Sequence, residues 1–318
     1  MRALRICADG TLCVAEVPTP SASSGKALVR VRAAGLNRAD VSQRKGKYPA
    51  PPGYPQDIPG LEFAGTVEVA CGRFERGARV FGLTGGGAQA EYVASPPELL
   101  LAIPPALSDV DAGAVPEAYI TAYDALHTLA QVEAGERVLI HAIASGVGIA
   151  ALQLAKAAGC EVFGTSRSAG KLERVRAMGV TFACAPDRFD EEILRATDGA
   201  GVNVILDPVG GAYFERNLNV LSSRGRLVIL STMGGAEVSL SLATLMRKRM
   251  RLIGTMLRNR SVAEKATATD GFARDVLPLL ARGEIKPVID ASYPLDRAAE
   301  AYAAMEDNRT FGKIVLVL

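Results

Sequence analysis

The first third of the chain alternates short apolar runs with turns. Runs rich in apolar and β-branched residues at 27–33, 63–69, 78–83 and 90–94 have the length of strands, and residues 1–18 alternate in the same way. Clusters of proline and glycine, such as 49–53, separate the runs. This pattern predicts an irregular, mostly antiparallel, barrel-like domain.

From about Val115 the pattern changes to strands that alternate with helices. Strands are predicted at 137–142, 161–165, 202–207 and 226–230, and helices at 120–129, 148–158, 171–178 and around 213–221. This alternation is typical of βαβ units, so it predicts a parallel sheet covered on both faces. Helices at 270–281 and 297–307 and a strand at 313–317 are predicted last, in a tail that we expect to return to the first domain.

Length and composition restrict the function. A chain of 318 residues has room for about two domains. With 36 basic and 34 acidic residues, the net charge of +2 argues against nucleic acid or an anionic membrane as partner. The chain start lacks the apolar core of a signal peptide, and no uninterrupted apolar run reaches the length of a membrane span. The five cysteines are scattered, which is typical of small buried residues rather than of disulfides or a zinc cluster. We therefore expect a cytoplasmic protein.

The strongest chemical signal is the turn at 142–148, between a predicted strand and a predicted helix. Glycines there let the backbone approach a pyrophosphate, and the helix N-terminus offers unpaired N–H groups. The strict glycine motif is broken, because Ile143 and Ser145 stand at its first two glycine positions. A dinucleotide site is predicted at Ser145, Gly146, Val147 and Gly148, and the alternative is a tight turn that binds nothing.

The segment after the strand predicted at 161–165 favours NADPH over NADH. NAD sites place a carboxylate there to bind the ribose 2′-hydroxyl. Here Ser166 and Arg167 are followed by Ser168 and Lys171, without a carboxylate. Cations and hydroxyls suit a 2′-phosphate, which a carboxylate would repel. An ordinary solvated basic loop is the alternative.

Several segments together resemble the quinone oxidoreductase branch of the medium-chain dehydrogenase/reductase superfamily. They lie at 35–48, 59–65, 116–122, 141–155, 207–211, 257–261 and 312–315. The Leu-Arg-x-Arg-Ser run at 257–261 resembles the zeta-crystallin-like subgroup typified by the p53-inducible quinone oxidoreductase.

The resemblance implies an α/β fold with a GroES-like β-rich catalytic domain (1–115 and 259–318) and an inserted Rossmann domain with a doubly wound parallel sheet (116–258). It also implies an active-site cleft between these domains and a homodimer joined through the sheet edge near 251–256. The basic cluster at 247–249 is interpreted as a solvated surface turn and not as a nucleic-acid site.

The resemblance also implies that the catalytic zinc of related alcohol dehydrogenases is absent. Their cysteine and histidine ligands correspond to Asn37 and Leu61, which do not form a tight zinc site. Without zinc to stabilise an alkoxide, we expect an acceptor that spreads incoming charge over a conjugated ring, such as a quinone. Tyr48 and Asn37 are the candidates for orienting the acceptor and the nicotinamide ribose. A surface tyrosine without a role is the alternative for Tyr48.

The resemblance supplies further cofactor candidates across the chain. They are Thr121, Gly164, Ser166, Lys171, Val209, Leu230, Thr232, Met256, Arg258, Phe311 and Lys313. Two departures from the family suggest modest cofactor affinity. Ile143 replaces a usual glycine, which is expected to crowd the pyrophosphate turn, and 182–186 lacks the tyrosine that family members often place near the adenosine.

Two rivals to an NADPH-dependent quinone reductase stay open. An enoyl or alkenal reductase also needs no zinc but needs a proton donor, a role that Tyr48 fits. A non-catalytic NADPH-binding protein is the second rival, acting as a sensor, a crystallin-like protein or an RNA binder, and the altered glycine turn is compatible with it.

Overall fold

The computed structural model describes residues 1–22 and 25–318. The chain divides into two compact units. Unit 1 comprises Met1–Thr121 and Leu257–Leu318, and unit 2 comprises Ala122–Met256. Among the described residues, no helix has both the length and the apolar character needed to cross a membrane.

The strands fall into three sheets. In chain order they are β1 (Arg2–Ile6), β2 (Leu12–Glu16), β3 (Ala27–Leu36), β4 (Glu62–Val69), β5 (Arg79–Leu83), β6 (Tyr92–Ser95), β7 (Leu100–Ala102), β8 (Arg137–Ile140), β9 (Glu161–Thr165), β10 (Phe182–Cys184), β11 (Val202–Asp207), β12 (Leu221–Ile229), β13 (Arg251–Gly254), β14 (Ile289–Pro294) and β15 (Lys313–Val317).

Helices connect most of these strands. They are α1 (Arg38–Arg44), α2 (Asp109–Ala112), α3 (Pro116–Tyr123), α4 (Gly146–Ala157), α5 (Ala169–Ala177), α6 (Phe189–Ala196), α7 (Gly211–Val220), α8 (Leu242–Lys248), α9 (Val262–Asp275), α10 (Leu277–Ala281) and α11 (Ala298–Glu306). A π-helical turn at Asp124–Leu129 continues α3.

Unit 1 is built on a mostly antiparallel sheet with the order β14-β15-β3-β4-β5-β7, and β6 also pairs with β3. Its core is formed by the inward side chains of these strands, among them Val29, Phe63 and Val80. The last strand, β15, pairs antiparallel with β3, with Ile314 opposite Leu36. The C-terminal tail therefore returns to the sheet of the N-terminal strands, as expected.

Unit 2 contains a parallel six-stranded sheet with the order β10-β9-β8-β11-β12-β13. The chain runs outward in one direction from β8 and then in the other from β11. In open α/β sheets such a reversal point marks where ligands bind, outside the carboxyl ends of the strands. The unit thus has the doubly wound order of a dinucleotide-binding domain.

The main differences from the predicted elements lie at helix starts. The helix predicted at 270–281 begins earlier, at Val262, because Ser261 and Glu264 form a capping box there, and it ends at Asp275. Pro278 then stands in the first turn of a separate helix, α10, since proline is tolerated only near a helix start. The helix predicted from residue 120 begins at Pro116 for the same reason.

Candidate active site

The turn after β8 has an unpaired helix N-terminus. Ser145 caps α4, and its Oγ accepts a hydrogen bond from the N–H of Gly148 at 3.0 Å. A Cβ on Gly148 would lie 2.6 Å from the carbonyl oxygens of Ala142 and Ile143, so only glycine permits this close packing. Within the described residues the N–H groups of Gly146 and Val147 have no hydrogen-bond partner. The first turn of α4 therefore presents two donors that fit a pyrophosphate.

Ile143 does not project from this turn. Its side chain is fully buried, and a Cβ on Gly164 of β9 would lie 2.3 Å from its Cδ1. Ile143 thus fills the volume that a side chain at position 164 would take. The crowding expected from the sequence has no structural basis, because the isoleucine packs inward beneath the turn.

The predicted phosphate-binding residues lie at the carboxyl end of β9. Ser166 follows that strand, Arg167 is exposed, and Lys171 lies in the first turn of α5. The Ser168 hydroxyl caps this helix by accepting the backbone N–H of Lys171 at 3.4 Å. Since β8 and β9 are neighbours, the predicted pyrophosphate and 2′-phosphate residues belong to adjacent strand ends.

A tyrosine that the sequence analysis missed lies near this position. Burial raises the pKa of Tyr213, at the start of α7, while the charge of Arg167 lowers it, so the two side chains interact electrostatically. The Tyr213 ring packs edge-on against His141, with centroids 4.9 Å apart, and the Arg216 guanidinium lies 5.4 Å from it. In the sequence, Tyr213 is only an aromatic residue at the start of a predicted helix. Its role could not be predicted because the residues that it contacts come from distant segments of the chain.

The other cofactor candidates divide between the units. In unit 2 the strands β11, β12 and β13 are parallel, so the residues that follow them lie at one carboxyl edge of the sheet, together with Gly164. The candidates there are Val209 after β11, Leu230 and Thr232 after β12, and Met256 after β13. In unit 1, Thr121 lies on α3, Phe311 is buried just before β15, and Lys313 begins that strand. Their contact with a cofactor stays a prediction.

A buried chain of hydrogen bonds joins three strand ends of unit 2. His141 contacts the Thr165 hydroxyl through Nδ1 at 2.8 Å and the Asn217 side-chain oxygen through Nε2 at 2.7 Å. The Asn217 amide nitrogen donates to Oδ2 of Asp207 at 2.8 Å. Because the asparagine oxygen only accepts, Nε2 of His141 carries the proton and Nδ1 accepts from Thr165.

These hydrogen bonds hold the loop that follows β11 in place. The second oxygen of Asp207 accepts the N–H groups of Val209 at 2.6 Å and Gly210 at 3.0 Å. Gly210 has a φ of +80°, a conformation that other residues rarely adopt. Burial lowers the pKa of His141 to about 4, so the ring stays neutral at neutral pH. The network therefore holds Val209 in place without any charge on the imidazole.

We expect the stability of the protein to fall in acid because of His141. Its pKa is about 4 in the folded chain and 6.5 when unperturbed, so below about pH 6.5 the unfolded chain binds the extra proton. At about pH 5 this difference in pKa lowers the free energy of unfolding by about 2 kcal/mol. Urea unfolding of the wild type and His141→Gln at about pH 7 and pH 5 measures it. The wild type should lose more stability than the variant, and equal losses would contradict the assignment.

Unit 1 contains a buried ion pair that links its two chain segments. The ammonium of Lys313 donates to Glu62 Oε1 at 2.5 Å, Asn37 Oδ1 at 2.6 Å and the Leu36 carbonyl at 3.0 Å. The lysine is 4 % exposed and Glu62 is fully buried. Three bonds use all three N–H groups of the ammonium, so Lys313 is saturated by its own unit.

The same cluster sets the position of Asn37 and α3. The Asn37 amide donates to Glu62 Oε1 at 2.8 Å, and Glu62 Oε2 accepts the backbone N–H of Glu117 at 2.8 Å. Asp40 Oδ2 accepts the Asn37 N–H at 2.8 Å, and its Oδ1 accepts the Gly60 N–H at 2.9 Å. Burial raises the pKa of Asp40 to about 6. Both polar side-chain atoms of Asn37 are therefore hydrogen-bonded within unit 1, and its contact with a substrate or cofactor stays a prediction.

A zinc ion does not fit this cluster. The Asn37 oxygen already accepts from the Lys313 ammonium, and Leu61 presents no ligand atom. Over residues 1–22 and 25–318, no group of three or more histidine, cysteine, aspartate and glutamate side chains is arranged to hold a metal ion.

Arg258 supports the loop that carries Tyr48. It is 3 % exposed and donates to the carbonyls of Tyr48 and Gly85, both at 2.9 Å, and to the Gln43 side chain at 2.5 Å. Its guanidinium also lies 5.0 Å from the centroid of the Tyr48 ring. Burial raises the pKa of the half-buried Tyr48 to about 12, and its hydroxyl has no hydrogen-bond partner in the described part of the chain. Tyr48 is thus a neutral, available donor on a fixed loop.

Comparison with known proteins identifies the family. Residues 23–105 match the alcohol dehydrogenase GroES-like domain, and residues 146–270 match the zinc-binding dehydrogenase family. The chain is 31 % identical to the quinone oxidoreductase of Lama guanicoe, over all of this chain and 98 % of that protein. The chain belongs to the medium-chain dehydrogenase/reductase superfamily. The family prediction and the predicted fold class are confirmed.

Other similar proteins differ in size and activity. The chain is 35 % identical to the phthioceranic/hydroxyphthioceranic acid synthase of Mycobacterium tuberculosis, over 92 % of this chain but only 14 % of that protein. The structure is similar to that of the CurK enoyl reductase, with a TM-score of 0.87 and 26 % identity over 99 % of this chain and 98 % of that one. The fold and the relatives therefore define the class of this chain as a medium-chain dehydrogenase/reductase.

Proposed function

We propose that the chain is an NADPH-dependent quinone reductase that works in the cytoplasm without a metal. The observation that carries the proposal is the Lys313–Glu62–Asn37 cluster, in which an ammonium supplies the positive charge and no zinc donor set exists among the described residues. Without a Lewis acid, the acceptor itself has to spread the incoming charge, as a quinone ring does.

NADPH would be held by unit 2. The free N–H groups at the start of α4 suit the pyrophosphate, and Ser166, Arg167 and Lys171 suit the 2′-phosphate, with no acidic side chain in the segment 164–171. When bound, NADPH supplies a hydride. His141 and its partners keep the Val209 loop in place, and Tyr48 donates a hydrogen bond to the acceptor from its fixed loop.

Reduction of an activated C=C bond is the second candidate. It is favoured by the similarity to the CurK enoyl reductase. It is also favoured by two protonated groups in unit 1, the Tyr48 phenol and Glu117, whose pKa is raised to about 8 chiefly by burial. The two candidates share the cofactor and differ in the acceptor.

A substrate panel tests the function directly. We expect the purified chain to oxidise NADPH with ortho- or para-quinones, and to keep this activity after dialysis against a zinc chelator. The absorbance of NADPH measures the rate. Turnover of enones alone would favour the enoyl reductase, turnover of neither would favour the non-catalytic protein, and loss of activity that zinc restores would contradict metal independence.

Arg167→Ala tests the cofactor preference. Removing a charged contact to a 2′-phosphate should raise the KM for NADPH by about 10- to 100-fold and leave that for NADH nearly unchanged. Arg174→Ala, which removes an exposed arginine of α5, the helix that follows Arg167, is the matched control. Equal changes for both cofactors in Arg167→Ala would remove this residue from the phosphate site.

We also propose a homodimer joined through unit 2. In support, β13 is an end strand of the parallel sheet, and Leu242 and Met246 of α8 are 66 % and 74 % exposed. Light scattering should give a dimer mass for the wild type and a monomer mass for Leu242→Glu combined with Met246→Glu. Val262→Glu, at an exposed position of unit 1, should stay dimeric, and a dimeric double variant would contradict this interface.

A further inference from the structure

Unit 1 contains a second buried lysine that the site described above does not use. Lys265 of α9 is 4 % exposed, the same as Lys313. Lys313 has three hydrogen-bond acceptors, whereas the Lys265 ammonium has no hydrogen bond or salt bridge with any residue that the structure describes. Its contact is with the Tyr54 ring, whose centroid lies 5.9 Å from Nζ.

Lys265 and Tyr48, a candidate acceptor residue, are influenced by the same two charged residues. The charges of Glu117 on α3 and of Arg258 act on Lys265, and those of the same two residues act on Tyr48. One turn further along α9, the Thr269 hydroxyl is fully buried and lacks a hydrogen-bond partner among the described residues. Lys265 and Thr269 share a helix face, so a lysine without a hydrogen-bond partner and a buried, unsatisfied hydroxyl lie side by side.

Such an arrangement lowers the stability of the fold. Burial of an ammonium without a partner is unfavourable, and a cation–π contact with one tyrosine offsets only a small part of it. The structural lysine of this unit, Lys313, has a hydrogen-bond acceptor for each of its three N–H groups. The unpaired Lys265 is therefore better explained by a ligand than by the fold.

We propose that Lys265 is a catalytic residue that binds the acceptor oxygen and gives it a proton, with Glu117 as the group that restores the proton. This inference rests on the proposed function. The hydride that NADPH would supply forms a bond to one carbonyl oxygen of a quinone, or to the β-carbon of an enone, and the displaced π pair leaves the other quinone oxygen, or the enone oxygen, as an oxyanion. One N–H bond of Lys265 then breaks as an O–H bond forms, which gives a neutral hydroquinone or enol and a neutral amine. The Glu117 carboxyl protonates that amine, and solvent reprotonates the carboxylate.

The charges in unit 1 fit these protonation states. Burial and then the charge of Glu62 raise the pKa of Glu117 to about 8, against the opposing effects of Lys313 and Lys265. Burial lowers the pKa of Lys265, Glu117 raises it, and Arg258 lowers it further. Lys26 lies over the same Tyr54 ring as Lys265. At neutral pH Glu117 holds its proton and can replace the one that Lys265 gives.

Lys265→Met tests the role because it keeps the length and removes the charge. We expect kcat for quinone to fall by about 100-fold, the usual contribution of a general acid, while the KM for NADPH stays unchanged. The melting temperature should stay the same or rise, since an unpaired buried charge is removed. Lys265→Arg keeps the charge, but a guanidinium does not release its proton, so kcat should stay low. Lys26→Met removes the other cation at the Tyr54 ring, 5.6 Å from its centroid, and should keep full activity.

Two measurements separate this role from a structural one. In the wild type, kcat should fall as the pH rises through about 8, because Glu117 loses its proton there. In Glu117→Gln, this fall of kcat with rising pH should be absent. Without cofactor, 4-nitrophenolate should bind the wild type more tightly than Lys265→Met, as its absorbance shows. A lower melting temperature with unchanged kcat in Lys265→Met, or equal binding of the phenolate, would overturn the inference. A wild type that reduces neither quinones nor enones would overturn the proposed function instead.

Discussion

The ion pair between Lys313 and Glu62 determines how unit 1 is assembled. Lys313 begins the last strand and Glu62 begins β4, and the pair reaches Asn37 at the start of α1 and the Glu117 N–H in the first turn of α3. Segments from both ends of the chain therefore depend on one fully bonded charge pair. If either partner were lost, the other charge would be left buried without compensation, which is a large penalty. The position of Asn37 follows from the packing of the unit.

Unit 2 positions its site with neutral groups. The hydrogen bonds run from Thr165 through His141 and Asn217 to Asp207 and end on the Val209–Gly210 backbone. A neutral imidazole suits this place, because a cation there would draw the phosphates of a dinucleotide away from the start of α4. The two units thus hold their loops by different means, a saturated ion pair in one and an uncharged relay in the other.

The sequence predicted what depends on local pattern. The alternation of strands and helices can be predicted from neighbouring residues. So can the turn at Ser145–Gly148 and the basic residues after β9, which the structure places at one edge of the sheet. It did not predict Tyr213 beside Arg167, the His141 relay, or Lys265 near Glu117, because each joins residues far apart in the chain. The packing of Ile143 could not be predicted for a related reason, since only the fold shows that its side chain fills the space over Gly164.

The chemistry open to unit 1 follows from how its buried cations are bonded. Lys313 has no free N–H and Arg258 donates to two carbonyls and a glutamine, whereas Lys265 has no hydrogen bond with any described residue. A buried cation that is already paired stabilises the fold, but it gains little from negative charge that develops on a substrate. An unpaired cation gains a partner only when that negative charge appears on the substrate. Stabilisation that increases along the reaction lowers the barrier. The lysine that stabilises the fold least is therefore the one best placed to stabilise the transition state.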